Sequence, residues 1–190
     1  MRDSTRLTAL KQNPLWDFAL DFYTRPGVEH ACLCLQDEAK VDVCELLLHA
    51  WLFHHGRKAE HAALVLERRT RVRWQQEITG VLRQLRRELK GAAQASEGVA
   101  ELRATIKRAE LLAERENLQR WQQWTLVPEN TRTDPKETTR EPSKRAHWLQ
   151  LQLFSPNFHP FSGSGCAPSP RVENAWEVLG GQLDRFIPAR

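Results

Sequence analysis

The sequence predicts an all-α protein: an irregular bundle of five or six helices, followed by a flexible tail and a C-terminal helix. Two observations carry that class. No proline falls between Pro26 and Pro128, whereas seven of the ten prolines lie from Pro128 to Pro170. Proline removes a backbone donor and clashes with the preceding turn, so the long proline-free stretch permits helices that the later stretch forbids. Within the permitted stretch, apolar residues recur at helical spacing, and nothing there alternates with period two. Apolar residues make up 41% of the 190, enough to build a core.

The elements follow in order. Residues 1–13 read as an N-terminal tail, and a helical domain covers 14–125. Its first helix is signalled by NPLWDFALDFY. Asn13 suits the cap, and Pro14 suits the first helical position, where no donor is needed. Leu15, Phe18, Ala19 and Phe22 form one apolar face; Trp16, Leu20 and Tyr23 form another. A helix apolar on most of its circumference is expected to be largely buried. TRPG breaks the chain, and a short helix follows through residue 39. The next helix, VDVCELLLHAWLFHH, takes Asp42 as cap and should be the central core helix; Gly56 ends it as a left-handed residue would.

Residues 58–69 read as helix again. A longer helix over 71–90 places Trp74, Ile78, Val81, Leu82, Leu85 and Leu89 on an inward face, with Arg71, Arg73, Arg83, Arg86, Arg87 and Lys90 outside. A last long helix, about 97–123, should pair with it antiparallel through a short connection. Residues 126–170 read as a flexible linker, with an unexpectedly apolar peptide, WLQLQLF, at 148–154. A C-terminal amphipathic helix over 171–187 uses Val172, Ala175, Trp176, Leu179, Leu183 and Phe186. Gly180 and Gly181 weaken it by roughly 1 kcal/mol each relative to alanine.

Residues 13–52 resemble the N-terminal signature of an uncharacterised bacterial family of small cytoplasmic proteins. The signature runs L-W-x-F, then Y-x-x-P-G-V, then C-L-x-L-Q-(D/E) and a D-V-x-x-L-L-like helix. Its residues here are Leu15, Trp16, Phe18, Tyr23, Pro26, Gly27, Val28, Cys32, Leu33, Leu35, Gln36, Asp37, Asp42, Val43, Leu46 and Leu47. The resemblance implies a compact helical fold, reaches more loosely to about residue 125, and carries no activity with it.

Charge and motifs bound the function. The N-terminus lacks the apolar segment of a signal peptide, and no run of 18 apolar residues exists, so a cytoplasmic protein with free thiols is expected. Residues 57–95 carry ten basic and four acidic groups, a net of +6. Arg73, Arg83, Arg86 and Arg87 are therefore candidates for binding an anion, nucleic acid included. Interspersed Glu67, Glu77 and Glu88, and the lack of a recognised nucleic-acid motif, favour a solvated face or one answering the acidic N-terminal residues. His49, His54, His55 and His61 cluster near Cys44, but not at the short fixed spacings a zinc site needs, so no metal and no cofactor is expected. Asp17 and Asp21, one turn apart, are candidates for acid–base work in a small cofactorless enzyme. Without an accompanying nucleophile or phosphate loop, they read better as a solvent edge or as partners of arginine. No catalytic residue is assigned.

WLQLQLF remains. Gln150 to Phe154 resemble the pentapeptide Q-L-x-L-F by which polymerases and repair proteins dock on the bacterial sliding clamp, with Gln152 departing from the usual Ser or Asp. The resemblance implies that Gln150 hydrogen-bonds, Leu151 lines a groove, and Leu153 and Phe154 are anchors, with Trp148 adjacent. An extended peptide on a loose tether delivers apolar anchors without reshaping a domain. The alternative is a strap: the same side chains packed on the helical core. The sequence as a whole points to a non-enzymatic interaction or adaptor protein whose partner is another protein, the clamp being the best-named candidate.

Overall fold

The computed structural model describes residues 8–134, 141–154 and 169–184. Eight α-helices and one small ribbon of two strands account for almost all of them. They fall into two units, one comprising residues up to Glu60 and from Trp121 onward, the other His61–Arg120.

In the first unit, a helical stretch over 8–12 leads into α1, Leu15–Thr24. Asn13 does not cap α1; its amide closes the preceding turn on Ala9 O at 2.9 Å. The cap comes from far along the chain. Gln122 Oε1 accepts from Leu15 N at 2.9 Å, and Gln122 Nε2 donates to Leu10 O at 3.1 Å. Nor is α1 buried all round: Leu15, Ala19 and Phe22 are, but Leu20 is 50% exposed. Gly27, at φ 81°, starts α2, Val28–Glu38. A Cβ there would be strained by the left-handed backbone and would sit 3.0 Å from a Val178 methyl.

Asp42 caps α3, Val43–His54, accepting from Cys44 N at 2.8 Å and Glu45 N at 3.3 Å. Every residue from Val43 to Phe53 is buried, as expected of a central helix. Gly56, at φ 64°, ends it and turns the chain into β1, Arg57–Ala59. β1 pairs antiparallel with β2, Thr131–Thr133, with Arg57 opposite Thr133 and Ala59 opposite Thr131. Arg57 is 2% exposed and is held by Thr131, through Nε to Oγ1 at 3.0 Å and Nη2 to the carbonyl at 2.9 Å. The ribbon corrects two expectations, a chain without strands and a helix beginning at residue 58. Three-residue strands are too short to show a period in sequence.

The expected linker 126–170 is corrected as well. Its described part holds β2 and a helix, α7, Pro142–Leu153. α8, Pro170–Gln182, packs along α7. Ser169 caps α8 through Val172 N at 3.3 Å, and Pro170 occupies its first turn. Gly180 sits where the two helices approach most closely: a Cβ there would run into the Pro142 carbonyl and lie 2.7 Å from Ala146 N. What reads in sequence as a helix-weakening glycine is the condition for the crossing. Residue 186 of the expected final helix lies outside the described residues.

The second unit is a helical hairpin. α4, His61–Trp74, runs through a π-turn, Gln75–Thr79, into α5, Gly80–Glu88, so the break expected near residue 70 is absent. After a short 3₁₀ turn, Ala92–Gln94, α6 begins. α6 spans Glu97–Thr125, and its last turns belong to the first unit. α6 runs back along α5 and α4, as expected: Trp74 Nε1 donates to Ala113 O at 3.1 Å, and Arg103 Nε to Arg86 O at 3.2 Å.

Candidate functional site

Four regions merit testing for function, three of them flagged by the sequence. The first is WLQLQLF. It is helix, not extended peptide, because the helical pitch stacks Leu149 and Leu153 one turn apart on a buried side. Leu149 is 0% exposed, Trp148 and Leu153 9% each. Trp148 Nε1 donates to buried Asp134 at 2.9 Å, and its ring packs edge-on to Phe53 at 5.0 Å. Gln150, Gln152 and Phe154 are half-buried, the last 6.0 Å from the Trp176 ring. Leu151, on the opposite side, is 50% exposed. The loose presentation expected of this segment is thus replaced by the strap, in helical form.

The second region is the basic helix. Arg73 pairs with Glu77 at 3.0 Å in the open. Arg83 and Arg86 point to α6, where Arg83 meets Glu110 at 3.0 Å and Glu114 at 2.7 Å, and Arg86 meets Glu110 at 2.5 Å. Arg87 is exposed. The candidate anion-binding set is therefore split, with two of its four arginines paired in the hairpin seam. Electrostatics agree with that placement. Burial would raise the Glu110 carboxyl, but hydrogen bonds from Arg86 and Arg83 outweigh it and hold the group below its ordinary pKa. Glu114 is pushed up by desolvation despite Arg83.

The third region is a cleft of about 290 Å³ in the first unit, lined by Gln12, Asn13, Asp17, Asp21, His54 and His55 among others. The acidic pair and two of the clustered histidines do converge. The elements that bring them together are α1 and the end of α3. His54 Nδ1 lies 3.2 Å from Asp184 O and 3.3 Å from its Oδ1. Asp184 pairs with Arg25 at 3.0 Å, and Arg25 with Asp21 at 3.0 Å. Burial would raise Asp184, yet Arg25 and His54 hold it below the usual carboxylate range. His55, 8% exposed, is driven down to about 4 by burial and by neighbouring His54, so its ring is neutral near pH 7. An oriented imidazole and a neutral one beside two carboxylates form an acid–base environment. No cysteine lines it: Cys32 is buried and its thiol pushed up to about 12. Among the described residues, no group of three or more His, Cys, Asp or Glu is placed to hold a metal ion. Sequence reading could not find Arg25 and Asp184, which meet across 159 positions.

The fourth region departs in part from the expected inward face: Trp74 reaches Ala113 of α6, and Leu82 and Leu89 are half-buried, but the rest face outward. Ile78, Val81 and Leu85, expected inward, are 40%, 48% and 43% exposed. The seam between α5 and α6 is taken instead by Thr79 and the ion pairs of Arg83 and Arg86. Leu102 and Leu112 of α6 are 51% and 63% exposed. Among the described residues, the hairpin holds nine of the thirteen exposed large apolar side chains, although it is the smaller unit. Exposed apolar side chains are thus concentrated on this unit.

Comparison with known proteins places the chain without assigning it a role. A family model described as protein of unknown function (DUF2390) matches residues 14–121, more than half the chain, and the chain belongs to that family. No curated protein and no solved structure matches it. The match covers the cleft-forming α1 and α3 and the whole hairpin, and stops short of α7 and α8. No helix among the described residues is long and apolar enough to cross a membrane.

Proposed function

We propose that this DUF2390 member acts by protein–protein contact, through the apolar side of the hairpin rather than through residues 148–154. The exposure of Ile78, Val81, Leu85, Leu102 and Leu112 supports this reading. An amphipathic helix is stabilised by burying its apolar stripe. Here the stripe is in the sequence, and its side chains stand exposed among the described residues. Docking of Gln150, Leu151, Leu153 and Phe154 on a sliding clamp would require α7 to unravel. That would uncover Trp148, Leu149 and Leu153 at about 1.5–3 kcal/mol per side chain, which ranks it below the hairpin.

The test is quantitative affinity capture with three forms of the full chain: unchanged, Val81→Glu with Leu85→Glu, and Leu151→Ala. Proteins held by the unchanged chain and lost only with the glutamates support the hairpin. Loss only with Leu151→Ala moves the contact to α7, and equal capture by all three ends the proposal.

A second reading has its own observation, the convergence of Asp17, Asp21, His54 and His55 on one cleft. It makes the protein a small acid–base catalyst without a cofactor. Asp17→Asn lies at an exposed position and should keep the fold. If that variant retains full turnover of a substrate found by screening, the reading fails.

A further inference from the structure

The hairpin also carries information on what covers it. At 100° per residue, Val81 and Leu85 occupy one narrow arc of α5, with Ile78 in the π-turn just before it, and Leu102, Ala109 and Leu112 one arc of α6. The seam residues fix the orientation of both helices: Thr79 of the π-turn with Arg83 and Arg86 of α5, and Glu110, Ala113 and Asn117 of α6. Because the helices are antiparallel, both apolar arcs fall on the same side of the hairpin. Beyond the α5 arc come Glu88 and, in the π-turn, Glu77, which already pairs with Arg73; beyond the α6 arc come Arg108 and Arg115, with Glu101 nearer the connecting turn. All five are exposed. That side therefore reads acidic edge, apolar middle, basic edge.

Such a side is complementary to itself. A two-fold axis parallel to the helices lays the α5 of one copy antiparallel against the α6 of the other. Apolar middles then meet, and each acidic edge meets a basic one. A four-helix bundle with antiparallel neighbours results, the arrangement in which hairpins with one apolar side bury it. The apolar part is on the order of 400 Å² per copy. Its charged edges carry it toward the roughly 800 Å² per partner of a standard interface.

We infer that the occupant of the hairpin's apolar side is a second copy of this chain, paired through Ile78, Val81, Leu85, Leu102 and Leu112 into a four-helix bundle. The inference rests on the hairpin being a contact surface and names its partner.

Sedimentation of the full chain over about a hundredfold concentration range tests it by mass action. The expected mass is twice the 22.0 kDa of the chain, falling to 22.0 kDa on dilution or with Val81→Glu and Leu85→Glu. The edges supply a second arm at exposed positions, which decides the matter if the apolar variants unfold. Glu77→Arg with Glu88→Arg weakens the dimer at least tenfold, and adding Arg108→Glu with Arg115→Glu restores it. A mass of 22.0 kDa at every concentration overturns self-pairing and leaves the hairpin as a surface for a different protein. A dimer indifferent to both the apolar and the edge variants overturns self-pairing here and the hairpin reading together.

Discussion

The two units of this chain treat apolar residues in opposite ways. In the first, α3 is buried along its whole length from Val43 to Phe53, and Trp51, Leu149 and Leu179 are 0% exposed. In the second, α5 buries no residue, and its seam to α6 is made by Arg83, Arg86, Glu110 and Glu114. A packed unit is specified by shape: close approach, cavities filled, polar groups satisfied one by one. A hairpin joined by ion pairs has its apolar surface left over. The difference teaches that a stripe of helical period says where a helix will be covered, not by which molecule.

The contrast is most easily broken with leucines. Leu149→Ala, in the packed unit, should cost about 2–5 kcal/mol in denaturant unfolding, while Leu85→Ala should change the stability of the single chain by less than about 0.5 kcal/mol. Equal losses at the two sites would erase the distinction drawn above.

Acid should reach the packed unit through His55. Its pKa is lowered from 6.5 to about 4 in the folded state, so the unfolded chain takes up the proton first. Stability is full above pH 6.5 and is lost as pH falls toward 4, by up to about 3 kcal/mol. The midpoint of urea unfolding, followed between pH 7 and 4.5, should fall for the unchanged chain and flatten in His55→Gln. A parallel fall in both chains would assign the acid sensitivity elsewhere.

The two adjacent glycines sharpen the comparison on a smaller scale. Gly180→Ala forces a methyl into α7 and should destabilise by about 1–3 kcal/mol. Gly181 faces open space, so Gly181→Ala should stabilise by up to about 1 kcal/mol. Thermal unfolding of the pair decides: two changes of the same sign would mean that α7 and α8 do not cross closely.

Helix content, the Asp42 cap and the end at Gly56 were legible because each is set by residues close in sequence. The distant partners were not. Gln122 capping Leu15, Thr131 holding Arg57 and Asp134 receiving Trp148 are meetings that no local pattern announces. The composition of WLQLQLF marks it as apolar, but the extended conformation it suggests gives way to helix. Its neighbours are rich in proline, but Pro142 falls in the first turn of α7, where proline favours a helix. The cleft was half legible: the spacing of Asp17 and Asp21 was plain, while Arg25 and Asp184 closing around His54 was not. The hairpin face was in view throughout, assigned to the inside because nearly every such stripe in a single domain goes there.

The π-turn at Gln75–Thr79 gives this geometry an evolutionary handle. One surplus residue there rotates everything downstream by about 100° about the helix axis. Loss of a single codon would swing Val81 and Leu85 round together with Arg83 and Arg86, and so take the arginines away from Glu110 and Glu114. The π-turn thus sets, through one residue, which side of α5 faces α6 and which side stays exposed.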